Sequence, residues 1–309
     1  MLGTGTAHRR VTSALVGIAV ALGAASALAD NEMVVYGVSN FGGTGECSGD
    51  PLPSFSTEVD TIRSRFDGWI AAGDWDVARS FKNTGLDKID LADSTKLTGG
   101  ADSSSPGGID STDVGFVLTH GAAEWSSGRV YSRWVMGSDS YGSGSWTDCR
   151  VFTDTDVSWG NGGTNDLEIF ISRACQSAQY EVWRAGVTDA TVPAYFAVRT
   201  TSGTLSTYLG FHGDAYSGAS HVTEMDNFVQ HSLHDGIGEN WIDYLYDPDP
   251  GANDDQCPSA IVFGSTATAR DHMYTWGGFR DREDTGTKGV ATYYYIKGCD
   301  PLNGQALPN

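Results

Sequence analysis

Two stretches decide how this chain is read: Asp113-Val114-Gly115-Phe116-Val117-Leu118-Thr119-His120-Gly121 and Leu167-Glu168-Ile169-Phe170-Ile171-Ser172-Arg173-Ala174-Cys175. Each is a short apolar, β-branched run that stops abruptly in small or polar residues. Continuous apolar runs of this length mark strands buried on both faces, hence a mostly parallel sheet covered by helices. In open α/β sheets, sites form outside the carboxyl ends of the strands. His120 and Cys175 stand at those ends, so neighbouring strands would set an imidazole across from a thiol.

The flanking sequence alternates in the same manner. Residues 33–38 read as a first strand. A helix over 57–72 follows, with Val59, Ile62, Phe66, Trp69 and Ile70 at helical spacing and Gly73 as a stop. Residues 75–81 fit either element. Further strands are expected at 207–211 and 260–264, and helices at 223–233 and 239–246. Loops rich in Gly, Ser and Asp lie at 98–112, 137–148 and 247–257. Neither a repeat nor a break in composition divides the chain, so the expectation is one α/β domain over 30–309.

Residues 1–29 are set apart as a signal peptide. His8-Arg9-Arg10 forms a basic start, 15–25 is an uncharged apolar run, and Ala27-Leu28-Ala29 fits the small-x-small cleavage rule. The expected mature chain begins at Asp30 and is secreted or periplasmic. Later in the chain, no stretch approaches the ~20 apolar residues of a membrane span. The 309 residues carry 19 basic and 39 acidic side chains, a net charge of −20, and loss of Arg9 and Arg10 takes this to −22. A field of that sign repels phosphate backbones, so nucleic acid is excluded as the expected partner.

Export brings an oxidising compartment. Of five cysteines, Cys47, Cys149, Cys257 and Cys299 sit in loop-like surroundings, whereas Cys175 ends an apolar run. Five is odd, so at most two bridges form and one thiol is left over. A free thiol ionises near a pKa of about 8.5, and an adjacent imidazole lowers that value or takes the proton. Glycine directly after His120 lets a substrate backbone approach. It also frees the Gly121 N–H to face an oxyanion alongside the N–H of Cys175.

At these residues the chain resembles a family. Leu118-Thr119-His120-Gly121 and Ser172-Arg173-Ala174-Cys175-Gln176-Ser177, with His before Cys by 55 positions, are similar to the caspase–haemoglobinase type of cysteine peptidases. More widely, the stretch from Val34 through Leu209-Gly210-Phe211 and Trp241 resembles a bacterial family of exported caspase-like proteins. The resemblance implies a caspase-like αβα sandwich, a peptide or protein substrate, His120 as general base and Cys175 as nucleophile. Gln176-Ser177 replaces the Arg-Gly that follows the cysteine in caspases, so their preference for Asp does not carry over. A third catalytic residue is not assigned by the pattern.

Other signals in the sequence compete with this one. His212 ends the 207–211 run at the same sheet edge and is a candidate site-lining residue, as is Arg173, which could alter the charge of a pocket. His231 and His234, three apart, lack the companions of a metal motif, and no metal is expected at the site. Acidic turns at Asp154–Asp156 and 247–255 offer oxygen ligands for structural calcium but not EF-hand spacing. No GxSxG, GxGxxG or GxxxxGK[ST] occurs. Trp125, Trp134, Trp146 and Trp159, in Gly/Ser-rich surroundings, support an alternative: an inactive exported module that binds carbohydrate or a surface through exposed rings.

Overall fold

The computed structural model describes residues 31–309 except 42–48, 84–85, 87, 104–107, 127–128, 137–148, 154–155, 158, 160–166, 185–203, 249–253 and 281–287. The expected signal peptide, Cys47, Trp146, the Trp125 side chain, Asp154 and Asp249 therefore lie outside the described residues. Asn31–Asn309 forms one compact unit.

Ten strands are described: β1 (Glu32–Gly37), β2 (Val77–Lys82), β3 (Val114–Leu118), β4 (His120–Ser126), β5 (Arg129–Val135), β6 (Arg150–Phe152), β7 (Ile169–Arg173), β8 (Thr207–His212), β9 (Cys257–Gly264) and β10 (Val290–Tyr294). Seven of them form the central sheet in the order β10-β9-β8-β7-β3-β1-β2. Strands β2, β1, β3, β7 and β8 run parallel, while β9 and β10 each pair antiparallel. β3 and β7 are direct neighbours, with Leu118 opposite Arg173. The remaining three strands form a separate antiparallel sheet, β4-β5-β6.

Helices α1 (Pro53–Ala72), α2 (Lys88–Leu91), α3 (Tyr180–Arg184), α4 (Ala219–His231), α5 (Ile237–Leu245) and α6 (Ala267–Trp276) complete the secondary structure used here. Pro53 opens α1, where a missing N–H costs nothing, and Gly73 closes it at φ +81°. Phe55, Val59, Ile62 and Phe66 recur along α1 at helical spacing and are all buried. They pack with Met33, Val35, Phe116, Leu118, Ile171 and Leu209 of the sheet and with the inner faces of α4, α5 and α6.

The opposite face of the same strands shows Val34, Tyr36, Val117, Phe170 and Tyr208. It is covered by the small sheet, by α2 and α3, and by Trp134 and Trp159. The result is a mixed α/β fold with a mostly parallel sheet covered on both faces. The expected strands and long helices are present. Pattern reading did not find β4–β6, β10, α6 or the short helices.

Candidate functional site

The carboxyl ends of β1, β3, β7 and β8 point to one edge, and each chain exit there contributes a piece of the site. After β3 the chain leaves the central sheet at Thr119, whose N–H donates to the Arg173 carbonyl (3.2 Å). It enters the small sheet at His120. After β7 it makes a tight turn, with Gln176 at φ +54°. The Gln176 N–H donates to the Gly213 carbonyl (2.6 Å), beyond the end of β8.

Gly121 and Cys175 are therefore in contact, with His120 the residue just before Gly121 in the chain. A Cβ on Gly121 would lie 2.2 Å from the Cys175 carbonyl oxygen, so only glycine fits. The Gly121 N–H is directed at the Cys175 sulfur and favours its ionised form. A second backbone group, the Ala215 N–H, donates to Sγ at 3.4 Å, and the Ala215 carbonyl lies 3.7 Å from it. Cys175 is a free, half-buried thiol. Burial pushes it up from its ordinary value, and the nearby Asp214 carboxylate adds to this, against opposing pulls from the two backbone N–H groups and Arg173. At rest the sulfur is a thiol, not the ion pair that the sequence pattern alone invites.

His120 is held by the segment that precedes α1. Nε2 donates to the Asp50 carbonyl (2.8 Å), and the ring packs on Phe41 at 4.5 Å between centroids. Gly49 makes room for it, since a Cβ there would fall 2.6 Å from Cδ2. A carbonyl can only accept, so it fixes the proton on Nε2 and leaves Nδ1 with its lone pair. Among the described residues neither ring nitrogen hydrogen-bonds the sulfur. The sequence pattern assigns no third side chain; the group that orients the ring is a backbone oxygen, which leaves no mark in residue identity.

Arg173 is wholly buried beneath the loop that follows β8. Its guanidinium donates to the Tyr216 carbonyl (2.5 Å), to Gln256 Oε1 (3.0 Å) and to Glu58 Oε2 (3.4 Å), and lies 5.0 Å over the Phe211 ring. Burial pushes the Glu58 carboxyl up although Arg173 pulls it down. Arg173 thus supports the loop and is countered there by a carboxyl. His212 is also fully buried. Nε2 donates to the Gln305 carbonyl (2.6 Å), and Nδ1 accepts from the Tyr180 N–H (3.1 Å). Burial lowers its pKa. Both residues stand behind the site and shape it from within.

A cavity of about 480 Å³ is lined by Pro53, Ser54 and Thr57 of α1 and by Ser217, Gly218, Ala219 and Val222. One wall continues from the Gly49–Asp50 segment that holds His120. The other continues from Ala215, which touches Cys175. Its walls carry hydroxyls and small apolar groups but no charge.

Cys257 and Cys299 form a disulfide, and Cys149 is also disulfide-bonded. The metal-type cluster Asp255, Cys257 and Cys299 is accounted for by that bridge. In the acidic turn, Asp255 Oδ2 accepts from the Asp300 N–H (3.0 Å) and the Asp254 carboxylate from the Tyr216 hydroxyl. Trp134 and Trp159 are fully buried, so neither can stack on a sugar. No helix among the described residues is long and apolar enough to cross a membrane. No family model matches the chain, and no curated protein does.

Proposed function

We propose that this chain is an exported caspase-like cysteine peptidase in which Cys175 and His120 act as a dyad. The observation that carries the reading is the contact of Gly121 with Cys175 just past the ends of adjacent parallel strands, with the ring of the preceding His120 fixed by the Asp50 carbonyl. The disulfide Cys257–Cys299 accords with export to an oxidising compartment.

In this reading a peptide binds with the side chain beside its scissile bond in the cavity between Ser54 and Ser217. The resting thiol is neutral, so its proton passes to His120 Nδ1 as the sulfur attacks the carbonyl carbon. The oxygen that gains charge accepts from the N–H groups of Gly121 and Cys175. His120 then gives the proton to the departing amine. Water, deprotonated by the same imidazole, opens the thioester and returns the thiol. The Asp50 carbonyl stabilises the imidazolium formed in between, since it accepts from the N–H that the ring keeps throughout.

The test is cleavage of a mixed peptide library by the chain from Asp30 onward, with Cys175→Ala as the blank. Cys175→Ala should abolish cleavage, and His120→Ala should lower it by at least about a hundredfold, the usual range for general acid–base catalysis. Absence of any Cys175-dependent cleavage overturns the reading.

A further inference from the structure

The last ten residues pass directly over the site. Cys299 is bonded to Cys257 at the start of β9, and beside that bridge the Asp255 N–H donates to the Asp300 carbonyl (3.2 Å) and the Asp300 N–H to Asp255 Oδ2 (3.0 Å). From this anchor the chain crosses the loop after β8. The Leu302 carbonyl accepts from the Asp214 N–H (3.0 Å), and the Gln305 carbonyl accepts from His212. Between them lies Asn303, exposed and at φ +57°. Its carbonyl accepts from Gln176 Nε2 (2.6 Å), one residue past Cys175, and its Nδ2 donates to Asp214 Oδ2 (2.8 Å). The Asp214 carboxylate in turn bears on the Cys175 thiol and pushes its pKa up, and the next residue, Ala215, donates its N–H to the sulfur (3.4 Å).

One exposed residue therefore holds both segments that enclose the sulfur. A strained left-handed conformation at a non-glycine residue persists only where the surroundings over-determine it. Here the disulfide at Cys299 and the carbonyl contacts of Leu302, Asn303 and Gln305 do so. We propose that Asn303 is a positioning residue for Cys175, acting through Asp214 and Gln176 and held in place by the Cys257–Cys299 tether. The proposal rests on Cys175 being the reactive group of the chain. The charged groups bearing on the sulfur are Asp214 and Arg173, and Asp254 bears on Asp214. The Asn303 amide draws the Asp214 charge toward the strap and away from the thiol.

The experiment follows alkylation of Cys175 by iodoacetamide against pH, which needs no substrate. Asn303→Gly accepts the φ, keeps the carbonyl contact and removes the amide. Its alkylation midpoint should rise by about half a unit, a roughly threefold slower reaction at neutral pH, with the melting temperature close to that of wild type. Asp214→Asn should lower the midpoint, and adding Asn303→Gly to it should cause no further shift. The double variant Cys257→Ser/Cys299→Ser, which frees the strap, should move the midpoint in the same direction as Asn303→Gly. An unmoved midpoint in Asn303→Gly overturns the proposal. An equal shift in the Asp214→Asn background removes the route through Asp214, and an unmoved midpoint in the tether variant removes the role of the disulfide. Lack of peptide cleavage with these shifts intact would count against the peptidase reading alone.

Discussion

The two faces of the central sheet are both dry, yet they are built by different means. On one face four helices lay regular apolar stripes on the strands, and Phe66 alone meets Trp69, Trp75, Phe116 and Phe279. The other face is closed by short irregular pieces around an aromatic stack, with Trp134, Trp159 and Tyr208 all packed on Phe170. The first face needs only periodic hydrophobicity. The second must also release the chain from β3 into a new sheet at His120, and so it trades regularity for specific polar links. Trp134 Nε1 donates to Ser172 Oγ (2.8 Å), Tyr208 to the Ser177 carbonyl (2.9 Å), and Ser132 to the Gln176 carbonyl (2.8 Å). One face supplies stability; the other supplies stability and the position of the sulfur.

The largest expected effect tests this division. Trp241 is fully buried on the helical face, and its Nε1 donates to the Gly210 carbonyl (3.0 Å). Trp134 is its counterpart on the other face and lies opposite Gly121 in the β4–β5 register. Trp241→Ala and Trp134→Ala should each cost about 3–5 kcal/mol in urea unfolding, as large aromatic truncations do. Only Trp134→Ala should also alter the alkylation rate of Cys175. Equal effects on Cys175 from both variants would break the comparison.

The same contrast explains what was legible in the sequence. β3 and β7 announce themselves as unbroken apolar runs, and α1 by its 3.6-residue spacing, so the central sheet and its helical cover follow from pattern. The positions of His120 and Cys175 follow too, because a strand that stops marks the sheet edge. β4 does not announce itself: His120-Gly121-Ala122-Ala123 has no strand-forming character, and its pairing with β5 comes from packing over the sheet. The Asp50 carbonyl carries no side-chain signal at all. Asp214 carried a faint one, being two residues past a strand end, but Asn303 lies 89 positions from it and meets it only because the disulfide folds the tail back.

A second effect separates the faces by pH. His212 is enclosed behind the site with both nitrogens bonded to backbone, and burial lowers its pKa from 6.5. A folded-state pKa below the unfolded one means the folded chain resists the proton that the unfolded chain accepts. This stability is present above about pH 6.5 and is lost as pH falls through that value toward the lowered one. Glu58 on the helical side is shifted upward, so its contribution runs the other way and fades as pH rises past its ordinary range. Melting temperature should therefore drop between pH 7 and pH 5, and His212→Asn should flatten that slope while lowering stability at pH 7. A slope unchanged in the variant would place its origin elsewhere, for instance at His221, which burial also lowers.

The smallest effect concerns how substrate charge meets the site edge. The chain from Asp30 onward carries −22, and at the edge the buried cation Arg173 is countered by Glu58. Asp214 and Asp254 bear on the sulfur's own loop. The cavity between Ser54 and Ser217 has no charged lining to oppose the wider field. A long-range negative potential raises the local concentration of cations without forming a contact, so under the proposed peptidase reading peptides with Lys or Arg near the scissile bond should be cleaved a few times faster than their Asp or Glu counterparts. Because the effect acts through solvent, it should fade as added salt shortens the screening length from about 10 Å at 0.1 M toward about 3 Å at 1 M. A cationic preference that persists at high salt would mean that a specific carboxylate reaches the bound side chain. Preference for acidic residues would mean that Arg173, despite Glu58, governs the cavity.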